Sequence, residues 1–217
     1  MTPERPEALL LDLDGTLVDS EPLHREAYRQ FFADRGWETP DLSLFTGRRA
    51  EDVFATEPGP WTGSDPAELS AGVMAYVRGD VAPDPVPGAE ELVRDAVSSG
   101  VRVAVVTSAG PDWVELSLGV GLDVLHLVEV LVTKEHVVDG KPDPAGYLLA
   151  CRRLGTDPGR CVAVEDSPAG VSAAIAAGVG AVYGVRTTHP APELVAAGAG
   201  EVYPDLTGVA AALGIGR

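Results

Sequence analysis

The amino-acid sequence predicts an α/β fold, a parallel sheet core with an α-helical domain inserted into it, and three observations carry that expectation. Short apolar, β-branched runs recur along the chain and alternate with segments of helical periodicity. Several of the helical segments stop at a glycine. One stretch near the N-terminus breaks the alternation, holding helical patterns and no convincing strand. Strands covered by helices on both faces are apolar throughout, so continuous runs point to a parallel sheet. Repeated strand–helix units then imply right-handed crossovers.

In chain order, strands are expected at Ala8–Leu13, Arg102–Thr107, Val128–Thr133, Cys161–Glu165 and Gly180–Val185. Between them, helices are expected at Ala89–Ser99, Pro111–Leu118, Pro144–Leu154 and Pro168–Ala177, ending at Gly100, Gly119, Gly155 and Gly178. Glycine accepts the left-handed conformation that closes a helix, and proline suits a first helical turn. Within Ser20–Pro87 the helical patterns are Pro22–Gly36, Arg48–Thr56 and Pro66–Gly79. That stretch also holds all four phenylalanines, two of the three tryptophans and two of the five tyrosines. A small helical domain has little interior, and bulky rings fill it efficiently. Packing accounts for most of them, with one or two left to face a substrate. The proline-rich segment Pro83–Gly88 reads as a stiff return linker, so the expected domains are 1–19 with 88–217, and 20–87.

The chain has 217 residues, an apolar fraction of 45% and a formal charge of −17. That charge argues against nucleic acid or an anionic membrane as partner. An anionic substrate needs local compensation, from a metal ion or a few well-placed bases. Lysine is confined to Lys134 and Lys141. Two cysteines, Cys151 and Cys161, offer neither a disulfide framework nor zinc spacing and fit a reducing compartment. The N-terminus lacks an export signal, and no run approaches the roughly 20 apolar residues of a membrane span. A soluble, cytoplasmic protein is the expectation.

Four groups carry chemistry. Asp12 and Asp14, two apart on a strand that stops at Gly15, point to one side at its carboxyl end, where open α/β sheets bind ligands. Converging like charges need a proton or a cation between them, and oxygen ligands suit Mg²⁺. An ordinary Asp-Gly turn is the plainer alternative. Thr107 and Ser108 close the next strand, where a hydroxyl and backbone N–H groups can seat a phosphate or simply cap a helix. Lys141 stands in a proline-stiffened loop, otherwise an ordinary surface lysine. Glu165 and Asp166 form a second acidic pair at a strand end, which could also be the acidic first turn of a helix.

In order and context these motifs resemble the haloacid dehalogenase superfamily. Its Asp-x-Asp-Gly, its Thr or Ser, its Lys and its acidic pair match Asp12/Asp14/Gly15/Thr16, Thr107, Lys141 and Glu165/Asp166. The resemblance covers nearly the whole chain and implies a Rossmann-like core with the helical insertion as cap. It further implies that Asp12 attacks phosphorus and that Asp14 protonates the leaving oxygen, then deprotonates water. Mg²⁺ would be held by Asp12, the main-chain carbonyl of Asp14 and Asp166, with Glu165 close by. Thr107, Lys141 and backbone N–H groups around Leu13, Ser108 and Ala109 would bind the phosphoryl oxygens.

Within the family, dehalogenases fit poorly because Asp14 and the acidic pair are both present. Phosphonate cleavage needs a cap lysine, and 20–87 has none. His24 stands where mutases and related phosphatases place a hinge histidine, and Arg49 lies in a segment resembling one that touches the distal substrate group. β-Phosphoglucomutases place an arginine immediately before the Glu-Asp pair, where Ala50 stands here, and a Lys-Asn pair where this chain has Ser-Ala-Gly-Pro after Thr107. VTSAG, GKPDPAGYLLA and VAVEDSPAG look closest to glycerol and sugar-phosphate phosphatases. The expectation is a Mg²⁺-dependent phosphatase acting on a small phosphorylated metabolite, a sugar or polyol phosphate, through an aspartyl-phosphate. The alternatives are a phosphosugar mutase and a non-catalytic binding protein on the same fold.

Overall fold

The computed structural model describes residues 5–45, 50–77 and 79–215. The chain divides into two compact units, one formed by Met1–Asp19 with Ala82–Arg217 and the other by Ser20–Val81.

In chain order the elements are β1 (Ala8–Leu11), β2 (Val18–Asp19), α1 (Glu21–Asp34), α2 (Ala50–Thr56), α3 (Pro66–Met74), β3 (Asp84–Pro85) and α4 (Ala89–Ser98). They continue with β4 (Arg102–Val106), α5 (Pro111–Val114), β5 (Val130–Val132), α6 (Ala145–Leu154), β6 (Cys161–Glu165) and α7 (Pro168–Ala176). The last are β7 (Ala181–Val185), α8 (Ala191–Ala197), β8 (Glu201–Tyr203) and α9 (Leu206–Leu213).

Six strands form one parallel sheet in the order β5-β4-β1-β6-β7-β8. Leu11 at the end of β1 pairs with Val105 on one side and Val164 on the other. Every residue of β1 is buried, and successive side chains enter opposite layers. Leu9 and Leu11 pack with Leu92, Val93 and Val209 of α4 and α9. Ala8 and Leu10 pack with Tyr147, Ala150, Val171 and Ala174 of α6 and α7. With both faces covered, β1, β4 and β6 are central strands, and the residues just past their carboxyl ends are neighbours by construction.

The return from the helical unit falls earlier than expected, at Ala82 rather than Gly88. Asp84–Pro85 pairs antiparallel with Val18–Asp19, so the presumed linker is a short strand of the core unit. Gly100, Gly155 and Gly178 do take positive φ as helix stops, whereas Gly119 does not. The helix begun at Pro111 runs on as a π-helix over Glu115–Gly121, straight through Gly119. The edge strand β8 and helices α8 and α9 had no counterpart in the pattern reading.

The second unit is held together by its aromatics. Phe31, Phe32 and Trp61 are buried, with Phe45, Phe54 and Tyr28 around them and Trp37 and Tyr76 packed on the cluster's margin. Phe31 and Phe32 meet edge-on with ring centres 5.5 Å apart, and Tyr28 and Phe45 lie at 4.2 Å. Among the described residues no helix is long and apolar enough to cross a membrane.

Candidate active site

The strand ends of β1, β4 and β6 carry the groups picked out in the sequence. Asp12 follows the last residue of β1, and its backbone N–H extends the ladder to the Val164 carbonyl at 3.1 Å. The chain then folds back on itself: the Leu13 carbonyl accepts from Leu17 N–H at 2.8 Å and Val18 N–H at 3.0 Å. Gly15 closes this loop with φ +81°, and a Cβ there would lie 2.2 Å from Asp166 Oδ2. Glycine is required here twice, for the left-handed backbone and for the close approach of a carboxylate.

Asp12, Glu165 and Asp166 are all buried, and each offers a carboxylate oxygen within 4.8 Å of the others. Lys141 reaches in from its loop to donate to Asp12 Oδ1 and to the Val106 carbonyl at 3.0 Å, and lies 2.6 Å from Glu165 Oε1. Glu165 also accepts from the Tyr147 hydroxyl at 2.5 Å and the Ser167 hydroxyl at 3.3 Å.

One ammonium against three buried carboxylates leaves negative charge over, and the titration of the cluster reflects it. Burial pushes Asp12 up to about 7 from 3.8, with Lys141 pulling the other way and Glu165 and Asp14 adding to the rise. Asp166 is raised well above the ordinary value by burial, then by Asp12 and Glu165. Burial alone would lower Lys141, but Asp12 and Glu165 outweigh it and hold the ammonium charged. Burial and the adjacent Glu165 raise the Tyr147 phenol. Three converging oxygens in excess of the local positive charge are a donor set for a hard divalent cation.

Asp14 sits apart from that cluster. Its carboxylate is half-buried and accepts from the indole N–H of Trp113 at 2.9 Å, and it is not one of the three carboxylates that converge. Thr107 is buried, and its backbone N–H reaches the Val132 carbonyl at 2.9 Å. Its hydroxyl oxygen accepts the Ala109 N–H at 2.9 Å, within the turn rather than at the cap of α5, which lacks a side-chain cap. The Ala109 amide, expected to bind phosphate, is therefore engaged by Thr107. Ser108 between them is exposed. His24 lies half-buried on α1, within the helical unit. Arg49 falls outside the described residues.

Several contributing residues were not foreseen. Thr188 donates its hydroxyl to Asp166 Oδ2 and lies 3.1 Å from the Asp166 carbonyl, while Thr187 bonds the Gly15 carbonyl. His189 Nδ1 is 3.2 Å from the same Asp166 carbonyl. Tyr147 anchors Glu165 and Trp113 anchors Asp14. Weak signals existed: a hydroxyl pair, Thr187 and Thr188, one residue beyond the Gly180–Val185 run, and a tryptophan standing apart from the aromatic-rich insertion.

A family model described as haloacid dehalogenase-like hydrolase matches residues 6–178. The chain belongs to this family. Among curated relatives of this hydrolase, validoxylamine A 7'-phosphate phosphatase of Streptomyces hygroscopicus subsp. limoneus is 41% identical over 192 residues, covering 87% of this chain and 89% of the relative. Fructose-1-phosphate phosphatase YqaB of Escherichia coli is 31% identical over 189 residues, covering 82% and 96%. Among solved structures, that of CbbY from Rhodobacter sphaeroides in complex with phosphate superposes with TM-score 0.78 at 26% identity, covering 97% of this chain and 100% of that one.

Proposed function

We propose that this hydrolase is a phosphatase of small organic phosphate monoesters, sugar or polyol phosphates, and that it works through an aspartyl-phosphate on Asp12. The observation that carries the reading is the pinned Asp12: a buried carboxylate at the end of the central strand, with Lys141 on one oxygen and two further acids within cation-sharing distance. The phosphatase relatives support the substrate class.

In this reading one Asp12 oxygen attacks phosphorus, the bond from phosphorus to the ester oxygen breaks, and the leaving alkoxide takes a proton from Asp14. Asp14 then takes a proton from water as that water attacks the same phosphorus, which returns Asp12 as carboxylate and releases inorganic phosphate. Lys141 and the Thr107 hydroxyl offset charge on the phosphoryl oxygens, and such positioning and neutralisation are most of what phosphoryl transfer needs. A divalent cation, Mg²⁺ by the chemistry of its ligands, would be held by Asp12, Asp166 and the Asp14 carbonyl with Glu165 beside them; when bound it neutralises the excess acid charge. Glu165, bonded to Lys141, Tyr147 and Ser167, also fixes where Lys141 stands. The helical unit acts as the cap that selects the leaving group, and the enzyme works in the cytoplasm.

The test is a panel of phosphate monoesters assayed with Mg²⁺ and with chelator, including p-nitrophenyl phosphate, fructose 1-phosphate and β-glucose 1-phosphate with product isomers resolved. Mg²⁺-dependent release of phosphate, abolished by Asp12→Asn, is expected. Isomerisation in place of release would make the chain a mutase, and wild-type turnover by Asp12→Asn would overturn the mechanism.

A further inference from the structure

Asp12 and Asp14 leave the same strand end two residues apart, yet the structure gives them separate partners. Asp12 is pinned by Lys141, while the Asp14 carboxylate is held through Oδ1 by Trp113 Nε1 at 2.9 Å. Trp113 belongs to α5, which starts at Pro111 just beyond the Thr107 turn. Its ring packs against the larger core layer, alongside Ala109, so the indole has a firm seat. The other two tryptophans, Trp37 and Trp61, lie in the helical unit.

We infer that Trp113 is the positioning residue for the acid–base carboxylate: its indole N–H occupies Asp14 Oδ1, fixes the orientation of that side chain, and leaves Oδ2 as the oxygen that gives and takes the proton. The inference rests on the acid–base role of Asp14 proposed above. An indole nitrogen only donates and never accepts, so the contact has a single polarity. The N–H therefore takes up an acceptor position on Oδ1 and cannot itself receive a proton from the carboxyl group. A hydrogen bond to a charged oxygen is also among the stronger ones. Sequence motifs place Asp14 near the chemistry, but nothing in them orients its carboxylate; Trp113 does.

Trp113→Phe keeps an aromatic ring, smaller than the indole, and removes the N–H. General acid help matters most when the leaving oxygen is basic, so two esters of similar shape separate orientation from folding: p-nitrophenyl phosphate, with a good leaving group, and phenyl phosphate, with a poor one. The expected result is that kcat/KM for phenyl phosphate falls on the order of 10-fold further than for p-nitrophenyl phosphate, because proton transfer and not binding is impaired. Equal losses on both esters, or none, would overturn the inference. A second readout is independent of turnover. In ¹⁵N-labelled protein, the indole signal that Trp113→Phe deletes should shift in Asp14→Ala; an unmoved signal means the contact is not made in solution and the inference fails. If Asp14→Asn leaves kcat/KM for phenyl phosphate at the wild-type value, the acid role of Asp14 fails, and with it the kinetic meaning of Trp113. An intact Asp14 effect without a Trp113 effect removes the inference alone.

Discussion

Gly170 offers a test in which two physical arguments predict opposite signs. It lies in the first turn of α7, where its N–H donates to the Ser167 hydroxyl at 3.1 Å. Alanine within a helix is ordinarily better than glycine by about 0.5–1 kcal/mol, so propensity alone predicts that Gly170→Ala stabilises. A Cβ at Gly170, however, would lie 1.9 Å from Glu165 Cδ and 2.0 Å from each carboxylate oxygen. Ordinary contact between such atoms is roughly 3.5 Å, so the carboxylate or the helix must yield by about 1.5 Å. Held at 2.6 Å by Lys141 and 2.5 Å by Tyr147, Glu165 cannot shift that far and keep both. Breaking a buried charge pair costs about 3–5 kcal/mol, which exceeds the propensity gain several-fold. For a chain of this size each kcal/mol is about 2–4 °C, so Tm should fall by roughly 6–20 °C. Thermal unfolding followed by circular dichroism measures it. Gly200→Ala is the control, because its added Cβ would meet nothing closer than 3.7 Å. A Gly170→Ala protein melting at or above wild type would refute the claim that this carboxylate is wedged against the helix.

The elevated Asp12 predicts a pH dependence. Its folded value of about 7 exceeds the ordinary 3.8, so its stabilising contribution in cation-free protein is full below about pH 4 and is lost as pH rises through about 7. With chelator present, the Tm of wild type should therefore drop relative to Asp12→Asn between about pH 4 and about pH 7, and parallel profiles would contradict the burial argument. Thr188→Val removes the hydroxyl that orients Asp166 while preserving shape. Mg²⁺ affinity by calorimetry should weaken about 10–100-fold, as outer partners of metal ligands generally do, and unchanged affinity would count against it. Tyr147→Phe deletes one donor to Glu165 and should cost about 1.5–3 kcal/mol in denaturant unfolding; a loss below about 0.5 kcal/mol would show that Lys141 and Ser167 suffice.

What the sequence determined by itself were the central strands and the residues that directly follow them. β1, β4 and β6 are apolar throughout because helices cover both faces, and that pattern reads from composition alone. Since parallel central strands end together, Asp12, Thr107, Glu165 and Asp166 could be grouped once those strands were recognised, and Lys141 joined them through motif order. The edges were harder. β8 has three partly exposed residues, and β3 is two residues with a proline, so neither has the periodicity that marks a buried strand. The π-helical continuation through Gly119 buries Ser117 and Leu118, and a glycine read as a stop gave no sign of it.

Only the tertiary structure decided how the acids are partnered. Asp14 is bonded across 99 residues to Trp113, and Asp166 is anchored by a threonine 22 residues on. Nor could spacing show that the Ala109 amide is engaged by Thr107. The physical reason is general: strand alternation dictates which residues leave a sheet edge, but the orientation of a side chain depends on donors brought up from distant loops. Those loops carry no repeating pattern from which their approach could be read.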